Sequence, residues 1–245
     1  MSMDALSWEL LIAAVTLAVL HTALGPDHYL PFVMIGRARK WSMARILFVT
    51  LLCGIGHVGS SIVLGSVGIG VGMAIGSVEA LELLRGSASG WALVALGAAY
   101  GLWGWRRAVR SRHGFEVHQH GEDVHIHEEG TVHHHHHHHL LTPSHRHAEQ
   151  GPNVTFWALF LVFVLGPCEP LLPLFVTPAS EGRWGLAALV GGVFAVATIA
   201  TMLIATGLLH AGVSRLRLGP LERWSHAMAG GVIALSGLGI VALGL

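Results

Sequence analysis

Leu24-Gly25-Pro26-Asp27-His28 closes one apolar stretch of this 245-residue chain, and Leu165-Gly166-Pro167-Cys168-Glu169 interrupts another, 141 residues later. Glycine and proline break helices, and each break is followed at once by two side chains able to hold a metal ion or a proton. Inside a bilayer, backbone freed from helical hydrogen bonding is tolerated only where it packs in protein or lines a cavity, and ionisable groups there mark pathways. Gly25, Pro26, Gly166 and Pro167 are therefore read as the breaks of two interrupted helices. Asp27, His28, Cys168 and Glu169 are read as the chemistry the breaks present.

Composition agrees with a membrane setting: 53% of residues are hydrophobic, 11% are charged, and mean hydropathy is +0.61. The 32 glycines supply small-residue surface for close helix contact. A formal net charge of zero gives nucleic acid no electrostatic hold, and two cysteines within apolar stretches give no disulfide framework. Six stretches approach the roughly 20 apolar residues a span needs: 6–24, 46–74, 90–105, 155–176, 184–213 and 228–245. The first has neither a basic leader nor a small-residue cleavage site, so it is expected to be retained as a span. The expected fold is an all-α integral membrane protein of six transmembrane helices, the first and fourth broken.

Loops one, three and five would hold all of the 14 Lys and Arg residues except Arg85 and Arg183. By the positive-inside rule these loops are cytoplasmic, which puts both termini on the other side of what is expected to be the cell membrane. Three crossings per half invert the second half relative to the first. Residues 1–108 and 154–245 are accordingly expected to be inverted three-helix repeats joined by a loop, 109–153. At an offset of about 140 residues, Ala95-Leu96 matches Ala234-Leu235, and His57 falls on Thr198.

The first half has the densest chemistry. His21, Asp27 and His28 stand at or beyond the end of the first span, and His57 is central to the second, after Gly54-Ile55-Gly56. Three imidazoles and a carboxylate suit Ni(II), Co(II) or Zn(II). On a continuous helix His21 and His28 would share a face but lie about 10 Å apart along the axis, too far to hold one ion. Either the break folds the chain back, or the two histidines are successive stations. Cys168 is a soft ligand or a small buried hydrophobe. Glu169 is expected to bind the ion or carry a coupling proton, since an unpaired carboxylate deep in a span is expensive. Thr198 and Thr201 are pathway candidates in the second half, although threonines in spans often bond their own preceding turn. Glu79, Glu82 and Arg85 read as a solvated face in the loop between spans two and three.

Fourteen of the 19 histidines fall in loop three. His118, His120, His125 and His127 precede the run His133, His134, His135, His136, His137, His138 and His139, with acidic neighbours such as Glu116, Glu122 and Asp123. Such a tract binds borderline metals without fixed geometry and has too little apolar content to fold alone. It is expected to be a mostly disordered cytoplasmic loop that collects ions. No nucleophile elbow, phosphate loop or nucleotide fingerprint appears, so neither an enzyme nor a permanent cofactor is expected. The expected partners are a divalent metal ion and the lipid bilayer; a homo-oligomer is left open.

His21 with Asp27-His28, Gly56-His57, and Gly166-Pro167-Cys168-Glu169-Pro170 resemble the nickel/cobalt transporter superfamily and its efflux relatives. That family has a histidine, four residues and then Asp-His on an early span, Gly-His on the next, and in the efflux branch Pro-Cys on a later one. Here five residues separate His21 from Asp27, a departure of one. The resemblance implies movement of Ni(II) or Co(II), with Asp27, His28 and His57 carried over as ligands, in a direction that differs between branches. Two other readings stay open. Export of a small oxyanion such as sulfite predicts arginine or helix N-termini at the site. A thiol relay, similar to the membrane thiol transporters of cytochrome c maturation, would require Cys53 and Cys168 to act together.

Overall fold

The computed structural model describes residues 5–72, 75–110, 116–120, 123–127, 154–216 and 219–243. Helices α1 (Ala5–Leu24), α2 (Leu30–Ala38), α3 (Met43–Gly70) and α4 (Ile75–Arg110) make up the first half, with a 3₁₀ turn at Pro26–His28 between α1 and α2. The second half has α5 (Val154–Leu165), α6 (Leu171–Ser180), α7 (Trp184–Arg215) and α8 (Ser225–Leu243), with a 3₁₀ turn at Gly219–Trp224 before α8. Between the halves, strands β1 (Glu116–His120) and β2 (Asp123–His127) pair antiparallel, placing His118 opposite His125, Glu116 opposite His127 and His120 opposite Asp123. His133 to His139 lie outside the described residues.

Among the described residues, four helical stretches are long and apolar enough to cross a membrane: Ala5–Leu24, Met43–Gly70, Trp184–Arg215 and Leu221–Ala242. Their outward faces are apolar as well; on α7, Val196 is 70% exposed and Leu208 is 71% exposed. Water would not tolerate such continuous apolar faces, so the chain is an integral membrane protein, and its described residues are helical in the main, apart from one short hairpin.

Three boundaries differ from those expected. The stretch 155–176 is two helices, α5 and α6, because Pro167 and Pro170 leave no donor to carry one helix through. Beyond residue 24 the chain does not enter a loop but turns into α2. Pro31 is in its first turn, where a missing N–H costs nothing, and Phe32, Val33 and Ile35 are buried. The third difference is α4, whose 36 residues absorb both the stretch 90–105 and the loop expected before it. Glu82 and Arg85 therefore do not form a solvated face. Glu82 is 1% exposed and takes a 2.6 Å hydrogen bond from Arg85, one turn along the same helix. Helix propensity favours this outcome: Glu, Leu and Arg predominate between 79 and 85, with no breaker among them.

The two halves interlock. Helix α1 packs on α7 and α5 packs on α3; α6 lies between α3 and α7, and α2 against α7 and α8. The most extensive contact runs along α4 and α8. It is a backbone-to-backbone seam, since a Cβ on Gly97 would overlap the backbone at Ala234 and one on Gly230 would overlap Gly101. The buried apolar residues gather in two clusters. One gathers Leu171, Phe175, Val190 and Phe194 with Cys168, and the other Phe32, Phe163, Met202 and Ile233 with Cys53.

Candidate metal centre

The first break is built from a few backbone choices. Gly25 still donates to the His21 carbonyl (3.0 Å) but has extended ψ (95°), and Pro26 has no N–H to offer the preceding turn. The chain then tightens into a 3₁₀ turn closed by His28 N–H to Gly25 O (3.1 Å). The carbonyl of Ala23, which a continuous helix would pair with the Asp27 amide, instead accepts from the Tyr29 hydroxyl (3.2 Å). This local refolding overcomes the axial separation of a straight helix: the rings of His21 and His28 stand 4.7 Å apart, edge to face.

At the second break Gly166 likewise donates to the carbonyl four residues back, that of Val162 (2.9 Å). Pro167 then leaves the Phe163 carbonyl without its helical donor, and His57 Nδ1 from the middle of α3 supplies one (3.2 Å). The Val164 carbonyl, freed in turn, accepts from Arg85 Nη2 (2.6 Å), whose other acceptor is Ser60 Oγ (2.8 Å). Ser61 Oγ accepts from the Cys168 N–H (3.2 Å). The backbone groups released by the break are thus met by side chains of α3 and α4, as a low-dielectric setting demands.

These contacts fix which histidine nitrogens are free. A carbonyl oxygen only accepts, so His57 must carry its proton on Nδ1, leaving the lone pair on Nε2. His28 Nδ1 faces the Gly25 carbonyl at 3.2 Å and Asp27 Oδ2 at 3.3 Å, so its proton is also on Nδ1. The Nε2 atoms of His21, His28 and His57 are all buried with no partner among the described residues. His28 and His57 have ring centroids 5.2 Å apart. His21, His57 and Cys168 each present a ligand atom within 4.8 Å of the other two. A metal-binding imidazole with its far N–H held by a carbonyl or carboxylate is the arrangement that fixes ring orientation and raises ligand basicity.

A cavity of ≈ 210 Å³ opens beside this cluster, lined among others by His21, Asp27, His28, His57, Phe163 and Glu169. Asp27 stands both in the lining and against His28, with Oδ1 buried and unpartnered, so it can orient the imidazole and offer an oxygen to a cation. Glu169 is exposed at the rim. Thr198 and Thr201 are not in the cavity lining. Thr201 bonds the Ala197 carbonyl one turn back (2.8 Å), whereas the Thr198 hydroxyl is buried without a partner. The side chains of His118, His120, His125 and His127 are outside the description. Sequence reasoning missed Glu82, Arg85, Ser60 and Ser61; the signal available was an ion pair at helical spacing within an unbroken helix.

Gly25 has no room for a side chain, because a Cβ there would fall 2.7 Å from His28 Nδ1 and 2.9 Å from Asp27 Oδ1. Gly25→Ala is expected to push both groups from their places, weakening Ni(II) binding about tenfold or more while the helices remain formed. Calorimetric titration alongside far-UV circular dichroism checks this; unchanged affinity would show that the first break does not position ligands. No family model, no curated protein and no solved structure matches the chain.

Proposed function

We propose that this protein is a membrane carrier of divalent transition-metal ions, Ni(II) or Co(II). The observation that carries the proposal is the grouping of His21, His57 and Cys168, each with a ligand atom within 4.8 Å of the other two, with the His28 ring against both imidazoles, beside a cavity at two helix breaks; the Nε2 atoms of all three histidines are buried with no partner among the described residues. Buried polar atoms without partners are rare because each costs free energy, and here three of one chemical type are grouped. Nitrogen donors with a nearby thiol and carboxylates match borderline divalent ions better than Mg(II) or Ca(II), which favour oxygen.

In this proposal Asp27, His28 and His57 strip the hydrated ion, with His21 and Cys168 completing its shell and Glu169 at the mouth. The six crossings are α1 with α2, α3, α4, α5 with α6, α7 and α8, as two inverted repeats with both termini non-cytoplasmic. The histidine-rich segment would then lie in the cytoplasm as a metal-collecting loop. The thiol-relay alternative is disfavoured because Cys53 and Cys168 are packed in different apolar clusters. Of the two features the oxyanion alternative predicts, arginine or helix N-termini at the site, the first is missing, since neither arginine nor lysine lines the histidine cavity among the described residues. Arg85, half-buried on α4 rather than looped out, directs Nη1 and Nη2 to Glu82, Ser60 and Val164 and is absent from the cavity lining.

Metal flux into proteoliposomes tests the proposal. Wild type is expected to move Ni²⁺ or Co²⁺ down an imposed gradient. Asp27→Asn, which keeps shape but loses charge, should lower apparent affinity by ~10–100-fold, and His28→Ala should remove flux. Transport by both variants at the wild-type rate would sink the assignment.

A further inference from the structure

A second cavity, of ≈ 250 Å³, is lined by Glu82, Leu83, Glu169, Leu172 and Pro173. Glu169 lines this cavity and the histidine cavity alike, so one carboxylate borders both. The other acid, Glu82, is almost wholly buried and uses Oε1 to accept from Arg85, while Oε2 is buried with no partner among the described residues. The charged groups facing Glu82 are Arg85 and Glu169. Two carboxylates against one guanidinium leave a net negative charge at the cavity, in the sense that attracts a cation.

Position along α4 gives this cavity a place on a path. Ser89 and Leu93 line the histidine cavity, whereas Glu82 and Leu83 lie about two turns, or ~10 Å, nearer the start of the helix. In the topology proposed above, that direction leads to the non-cytoplasmic face. An imidazole and thiol site strong enough to strip a hydrated ion also resists releasing it, and a weaker neighbouring site is the usual physical remedy. Oxygen-only ligands make such a site weak for Ni(II) and Co(II).

We propose that Glu82 and Glu169 form a second, all-carboxylate cation station, through which the ion passes between the histidine cavity and the non-cytoplasmic face. Its place on a path rests on the carrier assignment, but its existence does not. Mn²⁺ is the probe: it stands lowest in affinity for nitrogen sites and accepts oxygen ligands, so imidazoles compete poorly for it. Titration of the purified full chain in detergent, followed by Mn²⁺ electron paramagnetic resonance, is expected to show a component that Glu82→Gln and Glu169→Gln each weaken by about tenfold or more. His57→Ala should keep that component, as should Glu82→Asp, which retains a carboxylate for Arg85 and so separates loss of charge from misfolding. An isotherm unchanged in Glu82→Gln, or a component lost in Glu82→Asp as well, overturns the station. Co²⁺ flux into proteoliposomes reads the carrier assignment separately: flux without a Glu82-dependent Mn²⁺ component defeats only the station, and the component without flux defeats only the carrier.

Discussion

Replacing His57 by alanine is expected to bring Ni²⁺ or Co²⁺ flux down to the background of protein-free liposomes. The ring stands 5.2 Å from that of His28, and its ligand atom lies within 4.8 Å of those of His21 and Cys168, so its removal opens a gap in the middle of the donor set. Alanine also strips the donor from the Phe163 carbonyl, the group that Pro167 leaves unpaired, at a cost of ~1–3 kcal/mol. The two effects separate in His57→Gln. Its amide still carries an N–H for Phe163, but it has no imidazole Nε2. Thermal unfolding in detergent should then show stability recovered toward wild type while flux stays at background. Recovery of both by glutamine would mean that His57 only caps a helix end, and the imidazole would lose its place as a ligand.

The breaks and their attached side chains were legible in the sequence because glycine and proline act through local backbone chemistry. The spacing from His21 to His28 was legible too, but its consequence was not. A straight helix puts those rings about 10 Å apart along its axis, whereas the extended Gly25 and the 3₁₀ turn after it bring them to 4.7 Å. Pro167 announced that the Phe163 carbonyl would need a donor, yet nothing in the sequence said that His57, 106 residues away, would supply it. Arg85 was harder still, since one of its acceptors is the backbone oxygen of Val164, and a backbone oxygen leaves no trace in residue identity. Charge alone suggested solvent. Burial came instead from an unbroken helix that carries Glu82 and Arg85 into contact with the second break.

The two breaks are treated differently by their surroundings. Ala23 O and Val164 O occupy the same place relative to their Gly-Pro pairs, but the first accepts from a tyrosine of the next turn and the second from an arginine of another helix. A neutral local donor can yield with the turn it belongs to. A cation that bonds Ser60 of α3 and Val164 of α5, while Glu82 holds it from its own helix, ties α3, α4 and α5 together.

Arg85→Met is therefore expected to be among the most destabilising single changes in the molecule. It leaves Glu82, 1% exposed, as a buried charge without its cation, and breaking a buried pair from one side costs ~3–5 kcal/mol. It also leaves Val164 O without a donor. The measurement is the lifetime of monodisperse protein in detergent on heating, since unfolding of such a chain is governed by a rate. The double variant Glu82→Leu/Arg85→Met removes both charges and should regain much of that lifetime, because a buried ion pair is often matched by apolar groups of similar volume. Recovery should fall short of wild type by the cost of the uncapped carbonyl, ~1–3 kcal/mol. A double variant no better than Arg85→Met would place the penalty in the carbonyl and the packing, not in the stranded carboxylate. If the pair served only to brace the fold, the double variant with its stability regained would bind Mn²⁺ like wild type; the carboxylate station requires that the component be lost even where stability returns.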